Sequence, residues 1–231
     1  MKTIGLLGGM SWESTSSYYK IINETIKEQL GSLHSGKIIL YSVDFQEIEE
    51  LQRQGNWDAC AEILGKAAHA LELAGADFIL ICTNTMHRVI DQIQQHCSLP
   101  FLHIADIAAE ALVKQNIATV SLLGTSYTME GTFYRERLEQ AGLTVMLPSA
   151  EQRKKIHTII FAELCSGIIR EESKQFYIEV MKELQEQGSQ AAILGCTEIG
   201  LLVNQDDVSF PLFDTAYLHA VAAAKEALKT K

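Results

Sequence analysis

Positive charge is scarce in this chain. Nineteen Lys and Arg stand against 29 Asp and Glu, a formal charge of −10 over 231 residues. That balance argues against a nucleic-acid partner or an anionic membrane surface. If the ligand is a small anion, backbone N–H groups and helix N-termini must meet it in place of a lysine cluster. Cysteine is sparse too: Cys60, Cys82, Cys97, Cys165 and Cys196 form an odd, scattered set without CxxC spacing. Such a set reads as reduced thiols in a cytoplasmic protein. No His/Cys/Asp group has zinc-ligand spacing. Gly8-Gly9 lacks both the GxGxxG pattern and the lysine of a P-loop, which excludes nucleotide binding. No lysine has the context of a pyridoxal Schiff base. No apolar run approaches the roughly 20 residues that cross a bilayer. The apolar start over 4–10 is too short for a signal peptide and lacks a small-residue cleavage pattern. Linkers rich in Pro, Gly or Ser and low-complexity tails are absent as well.

What is present is a repeat. Residues 79–87 read ILICTNTMH and residues 192–200 read AILGCTEIG, so Thr83 falls on Cys196, Asn84 on Thr197 and Thr85 on Glu198. Ile4-Gly5-Leu6-Leu7-Gly8 likewise lies over Val120-Ser121-Leu122-Leu123-Gly124, and Tyr18 then falls on Tyr134. A repeat close to half the length favours two similar domains. Facing each other, they would put Thr83 and Cys196 on opposite sides of one cleft. That suits chemistry at a tetrahedral carbon whose two faces are treated differently. Apolar residues, 47% of the chain, are ample for two cores.

Strand and helix patterns alternate throughout. Apolar runs predict strands over 4–7, 37–43, 78–81, 118–123, 145–147 and 191–194. Pro100 and Pro211 mark the entry to two more short ones. Helical spacing covers 57–73, with Cys60, Ile63, Leu64, Ala67, Ala68 and Leu71 on one face and Gly75 as the stop. Helices are also expected after Gly8-Gly9-Met10, capped by Ser11 or Ser14, and over 86–95, 130–140, 151–165, 171–187 and 215–229. Strands alternating with helices mean an α/β fold with parallel sheets. In such sheets ligands bind beyond the C-terminal strand ends. Gly8-Gly9-Met10, Thr83-Asn84-Thr85, Gly124-Thr125-Ser126 and Cys196-Thr197-Glu198 all occupy such ends.

Cys196 is the strongest chemical candidate. It follows a buried strand and is placed near a helix N-terminus, a position that favours thiolate. Thr83 is the odd member of the pair, since a hydroxyl is no base at neutral pH but can donate a hydrogen bond or hold a water. Cys82 is adjacent, yet neighbours in a strand point to opposite faces, so burial is expected for it. Asn84, Thr85, Thr125 and Thr197 are short polar residues at strand-to-helix turns. They serve as helix caps or as a ring of donors suited to carboxylates. His87, one turn past Thr83, either orients the turn, tunes the site or lies on the surface. His103 and His219 are read as structural. Arg53 is either a carboxylate clamp or a solvated loop arginine, and Gln52 is its polar neighbour.

The start MKTIGLLGGMSWEST, the block CTNTMH, the order of elements and GCTEIGLLV together resemble the aspartate/glutamate racemase family over essentially the whole chain. The nearest likeness is to the bacterial subgroup of L-aspartate/glutamate-specific and broad-specificity amino-acid racemases. The resemblance implies two pseudo-symmetric α/β domains with helices on both sheet faces and the active site in the cleft between them. It implies domains 1–98 plus 212–231 and 99–211, with the last helix packed on the first. It also implies no cofactor, no metal, a small amino-acid substrate and a homodimer. Two family cysteines face the substrate Cα. Cys196 matches the second, and Thr83 stands where the first would be. Asn84 and Thr85 match the turn that binds a substrate carboxylate. Met10, Thr125, Thr197 and Glu198 match other places lining the cleft. Some relatives carry a basic residue where this chain reads Leu164-Cys165-Ser166. That departure leaves neutral side chains open beside acidic ones.

The mechanism implied is cofactor-independent racemisation of L-aspartate or L-glutamate. Cys196 acts as thiolate base on one face, and Thr83, or a water it holds, serves the other. A single cysteine is also enough for a malonate-type decarboxylase or a maleate-type isomerase. The loss of one cysteine also fits a non-catalytic amino-acid-binding protein.

Overall fold

The structure, a computed structural model, describes residues 1–229. It is α/β with two parallel sheets. By contacts the chain divides into two units, one from Met1 to His103 together with the chain from His219 onward, the other Ile104–Leu218.

In the first unit, strand β1 (Ile4–Gly8) lies between β2 (Ile38–Ser42) and β3 (Phe78–Ile81), in the order β2-β1-β3. Every residue of β1 and β3 is buried, as a parallel sheet covered on both faces requires. Helix α1 (Trp12–Leu30) follows β1 and is capped by Ser11, whose side chain accepts from the Ser14 N–H. Helix α2 (Phe45–Gln54) follows β2, and α3 (Trp57–Leu73) packs Cys60, Leu64, Ala67, Ala68 and Leu71 into the core. After β3 come a 3-10 turn (Thr85–Val89) and the short α4 (Ile90–Gln94).

In the second unit, α5 (Ile104–Lys114) leads into β4 (Thr119–Gly124). Then follow α6 (Ser126–Glu130), α7 (Thr132–Gln140), β5 (Thr144–Met146), α8 (Ala150–Ala162), a 3-10 turn (Leu164–Ser166), α9 (Glu171–Glu186) and β6 (Ala191–Gly195). The unit is completed by α10 (Ile199–Leu202), a 3-10 turn (Gln205–Asp207) and β7 (Leu212–Asp214), in the sheet order β5-β4-β6-β7. Helix α11 (Thr215–Leu228) starts here and continues into the first unit.

The repeat is visible in the register. Ile4 pairs with Phe78 and its counterpart Val120 with Ala191. Ile79 N–H donates to Pro100 O and Ala192 N–H to Pro211 O, each at 3.0 Å. In the first unit the strand expected after Pro100 shrinks to one parallel bridge, Ile79 to Phe101. Its second-unit counterpart is the three-residue β7, which begins at Leu212.

Three expectations are corrected. Residues 45–54 form a helix: Asp44 caps it and Gly55 ends it in the left-handed conformation, so Arg53 is a helical residue, not a loop one. Helix α5 lies in a stretch where no element was expected. Leu212–Asp214 pairs with β6, and this ladder ties it to the second unit, so the boundary falls between Leu218 and His219 instead of at 212. The final helix is attached to the first unit from His219 on: Lys2 N–H donates to Ala227 O at 2.8 Å and Lys2 Nζ pairs with Glu226.

His219 anchors that attachment and makes it pH-sensitive. It is fully buried, and burial lowers its pKa to about 4. The folded state therefore holds a neutral ring, while the unfolded chain takes up a proton near pH 6.5. The stability that His219 contributes is complete above pH 6.5 and is lost as pH falls toward 4, up to about 3 kcal/mol. Urea unfolding at pH 7 and pH 5 should show this loss, and His219→Gln should lose less over the same interval. An identical pH slope in both proteins would refute it. Among the described residues no helix is long and apolar enough to cross a membrane.

Candidate active site

Strand parity decides which side chains reach each turn. In the second unit, Ala192 and Leu194 point into the core cluster with α8 and α9, while Ala191 and Ile193 point into the opposite cluster. Cys196 continues the first set and lies in the same cluster, 8% exposed. In the first unit, Ile79 and Ile81 share one cluster. Thr83 follows their parity and is half-buried, while Cys82 is fully buried. Burial raises the Cys82 thiol far above its ordinary range, so it is no substitute for Thr83 as an acid or base.

The second-unit turn is built on two glycines. Gly124 and Gly195 pair across β4 and β6. A Cβ on Gly124 would come within 2.7 Å of Gly195 O, and one on Gly195 within 2.9 Å of Leu123 O. Their lack of side chains lets Thr125 and Cys196 leave adjacent strands side by side. Cys196 Sγ–H donates to Glu198 Oε2 at 2.9 Å, and Thr197 Oγ1–H donates to the same oxygen at 2.9 Å. All three residues are buried. Burial first, and then the charge of Glu198, push the Cys196 thiol well above its usual value. Both oppose the thiolate expected at a helix N-terminus, and helix α10, only four residues long, is too short for an appreciable dipole to offset them. Thr125 caps α6, its side chain accepting from Thr128 N–H at 3.2 Å.

Two neighbours of this turn were not anticipated. Asp214 ends β7, and its Oδ1 accepts from Ala216 N–H and Tyr217 N–H at 2.9 and 3.1 Å. Burial raises its carboxyl, and the charge of Glu198 raises it further. A side chain on Gly200 would collide with Asp214 Oδ2, which accounts for the last glycine of GCTEIG. The Asp-Thr-Ala start of α11 was the available signal. Tyr177 is fully buried in the same core as Cys196, its hydroxyl donating to Ile156 O at 3.4 Å. Nothing in helical spacing singles it out from other core residues. Cys165 is partly buried against that core on the 3-10 turn after α8.

In the first unit, Leu7 pairs with Ile81 and Cys82 N–H donates to Leu7 O. The Gly9-Met10 and Thr83-Asn84-Thr85 turns therefore leave adjacent strands, as in the other unit. Met10, Asn84 and Thr85 are buried. Gly9 takes φ +93°, and its N–H donates to Thr15 Oγ1 at 2.8 Å. Gln52 and Arg53 part company. Gln52 is buried, its Nε2–H donating to Met86 Sδ at 3.0 Å beside the turn, while Arg53 is exposed in the last turn of α2. Among the described residues no group of three or more His, Cys, Asp or Glu is arranged to hold a metal ion.

The profile of the Asp/Glu/hydantoin racemase family matches residues 7–223. A solved protein from Yersinia pestis, provisionally described as an Asp/Glu racemase, is 55% identical over 99% of this chain and 100% of its own, with a TM-score of 0.91. An aspartate racemase homologue from Pyrococcus horikoshii OT3 is 37% identical over 99% of this chain and 100% of its own, with a TM-score of 0.86. The broad specificity amino-acid racemase RacX of Bacillus subtilis (strain 168) is 25% identical over 219 residues, 92% of each chain. With the profile spanning nearly the whole sequence and both parallel sheets in place, the chain belongs to the Asp/Glu/hydantoin racemase family of isomerases.

Proposed function

We propose that this isomerase is an amino-acid racemase that works without a cofactor, prefers acidic amino acids and starts from the L-enantiomer. The observation that carries the reading is the buried thiol of Cys196 donating to Glu198 at 2.9 Å. A Cα–H beside a carboxylate is a very weak acid, so its removal needs a positioned, desolvated base and neutralisation of the developing charge. Moving the thiol proton to Glu198 makes a thiolate without adding net charge to a buried site. The thiolate then takes the Cα proton from one face. Thr83, matched to Cys196 in the repeat, or a water it holds, supplies a proton to the opposite face. Met10, Gln52, Asn84, Thr85, Thr125 and Thr197 serve the substrate, their hydroxyl and amide groups and backbone N–H groups taking the part of a lysine or arginine cluster. Arg53 is the one cationic candidate among these residues, available only from the surface of α2.

The consequence is one-sidedness. A thiolate faces the L-enantiomer's Cα–H, whereas only a hydroxyl or a water faces that of the D-enantiomer. Proton NMR in D2O should show loss of the Cα–H signal roughly tenfold or more faster from L-aspartate or L-glutamate than from the D-forms. Thr83→Cys should raise exchange from the D-forms toward that from the L-forms. Equal rates from both enantiomers in the unaltered protein would sink the one-sided mechanism. Neutral amino acids in the same assay test the acidic preference, since the relative RacX is named for broad specificity.

A further inference from the structure

Three buried imidazoles lie together in the first unit: His87, His103 and His219. The ring centroid of His87 is 4.5 Å from that of His103 and 6.0 Å from that of His219. The partners of two of them fix their protons. A carbonyl oxygen can only accept, so His219 carries its proton on Nε2, donating to Leu102 O at 2.9 Å. Its Nδ1 then accepts from the Tyr18 hydroxyl at 2.9 Å. By the same logic His87 carries its proton on Nδ1, which donates to the backbone carbonyl of Thr83 at 2.9 Å.

That last bond has a particular place. Up to Cys82 the backbone is held by the ladder, Cys82 N–H donating to Leu7 O. At Asn84 it is held by the turn, whose carbonyl accepts from His87 N–H at 3.1 Å. Between them the Thr83 carbonyl is met by a side chain. The ring that meets it is set edge-on against His103, and the His219 ring nearby is tied on both nitrogens to α1 and to the Leu102 backbone. A rigid wall of rings therefore stands behind one peptide group.

We propose that His87 is the positioning residue for Thr83: its Nδ1–H fixes the Thr83 carbonyl, and so the direction of the threonine hydroxyl, with His103 and the Tyr18–His219 pair holding the ring in place. The inference rests on Thr83 serving the face of Cα opposite Cys196. It separates two rates that a merely structural role would move together. Loss of the Cα–H from an L-substrate needs only Cys196, which can return a deuteron to the face it came from. Formation of the D-product needs Thr83.

The test uses the full chain with His87→Leu, which removes the donor, and His87→Asn, whose side-chain amide can donate to the same carbonyl. For His87→Leu, D-glutamate formation from L-glutamate should fall about tenfold or more while exchange of the L-glutamate Cα–H stays within about twofold. His87→Asn should recover most of the D-product rate. Equal losses in both rates, no loss in either, or an asparagine variant no better than the leucine one would overturn the proposal. A second measurement is independent of turnover. Long-range 15N spectra of histidine-labelled protein should show His87 as the Nδ1–H tautomer and His219 as the Nε2–H tautomer. An Nε2–H tautomer at His87 overturns the positioning role even if the protein is inactive. Absence of exchange from every amino acid with the expected tautomers in place would instead overturn the racemase reading.

Discussion

Cys196→Ala is expected to abolish both racemisation and Cα–H exchange, by roughly 10³ to 10⁴-fold, equivalent to about 4 to 5 kcal/mol of barrier. The magnitude follows from what stays behind. Glu198 remains, but its Oε2 is engaged by Thr197 at 2.9 Å, and a carboxylate is a far weaker base toward carbon than a desolvated thiolate. Cys82 cannot take over, because it is fully buried on the strand face opposite to that of Thr83. The substitution itself is mild for the fold, trading one buried sulfur for a small void worth about 1 kcal/mol, so a normal denaturant midpoint would show that the loss is chemical. The measurement is Cα–H loss in D2O from L- and D-glutamate, followed with chiral product analysis. Residual exchange above a tenth of the unaltered rate would mean that another group is the base. Cys196→Ser should fall almost as far, since a hydroxyl in the same bond to Glu198 is a much poorer proton donor.

Much of this arrangement is legible in the sequence because the repeat and the strand period reinforce each other. Ile79, Ile81 and Thr83 share a parity, as do Ala192, Leu194 and Cys196, and the alternation of a strand turns that into a shared face. The ladder pairs Ile4 with Phe78 and Val120 with Ala191, which is the register that overlaying the two halves requires. What escaped has physical causes. Helix α2 does carry a helical period, with Phe45, Ile48 and Leu51 on one face, but so short a segment rich in Glu and Gln reads by composition as a loop, and Arg53 with it. Helix α5 is alanine-rich and follows the Pro100 signal closely, and alanine gives little contrast between faces. The boundary at His219 depends on side-chain contacts of one helix with Tyr18 and Leu102, which no local pattern announces. The thiolate expected for Cys196 rests on its place after a strand and near a helix N-terminus. Burial and a carboxylate two residues away outweigh a helix of four residues, and the balance becomes visible only once Glu198 is seen to fold back onto the sulfur.

That balance makes Glu198→Gln the sharpest remaining test, because Glu198 acts on Cys196 in two opposing ways. As a fixed negative charge it disfavours thiolate, and the thiol is raised accordingly, with burial the larger cause. As a proton acceptor at 2.9 Å it lets the thiol ionise by internal transfer, keeping a single negative charge across the pair. The glutamine keeps the size and can still accept a hydrogen bond, but it has neither the charge nor the basicity. If the charge effect governed, the variant would ionise its thiol more readily and turn over faster. If proton acceptance governs, the thiol pKa should drop while exchange of the L-glutamate Cα–H falls about 10² to 10³-fold. The second outcome is expected, because in a buried site creating a lone thiolate by losing a proton to solvent costs far more than moving that proton within the pair. The variant's residual rate should climb with pH, as its still-buried thiol ionises toward solvent, and remain below that of the unaltered protein. Alkylation rates against pH report the thiol, and D2O exchange reports the chemistry. A variant that titrates lower and also exchanges faster would remove Glu198 from the proton path and leave Cys196 to work as a free thiolate.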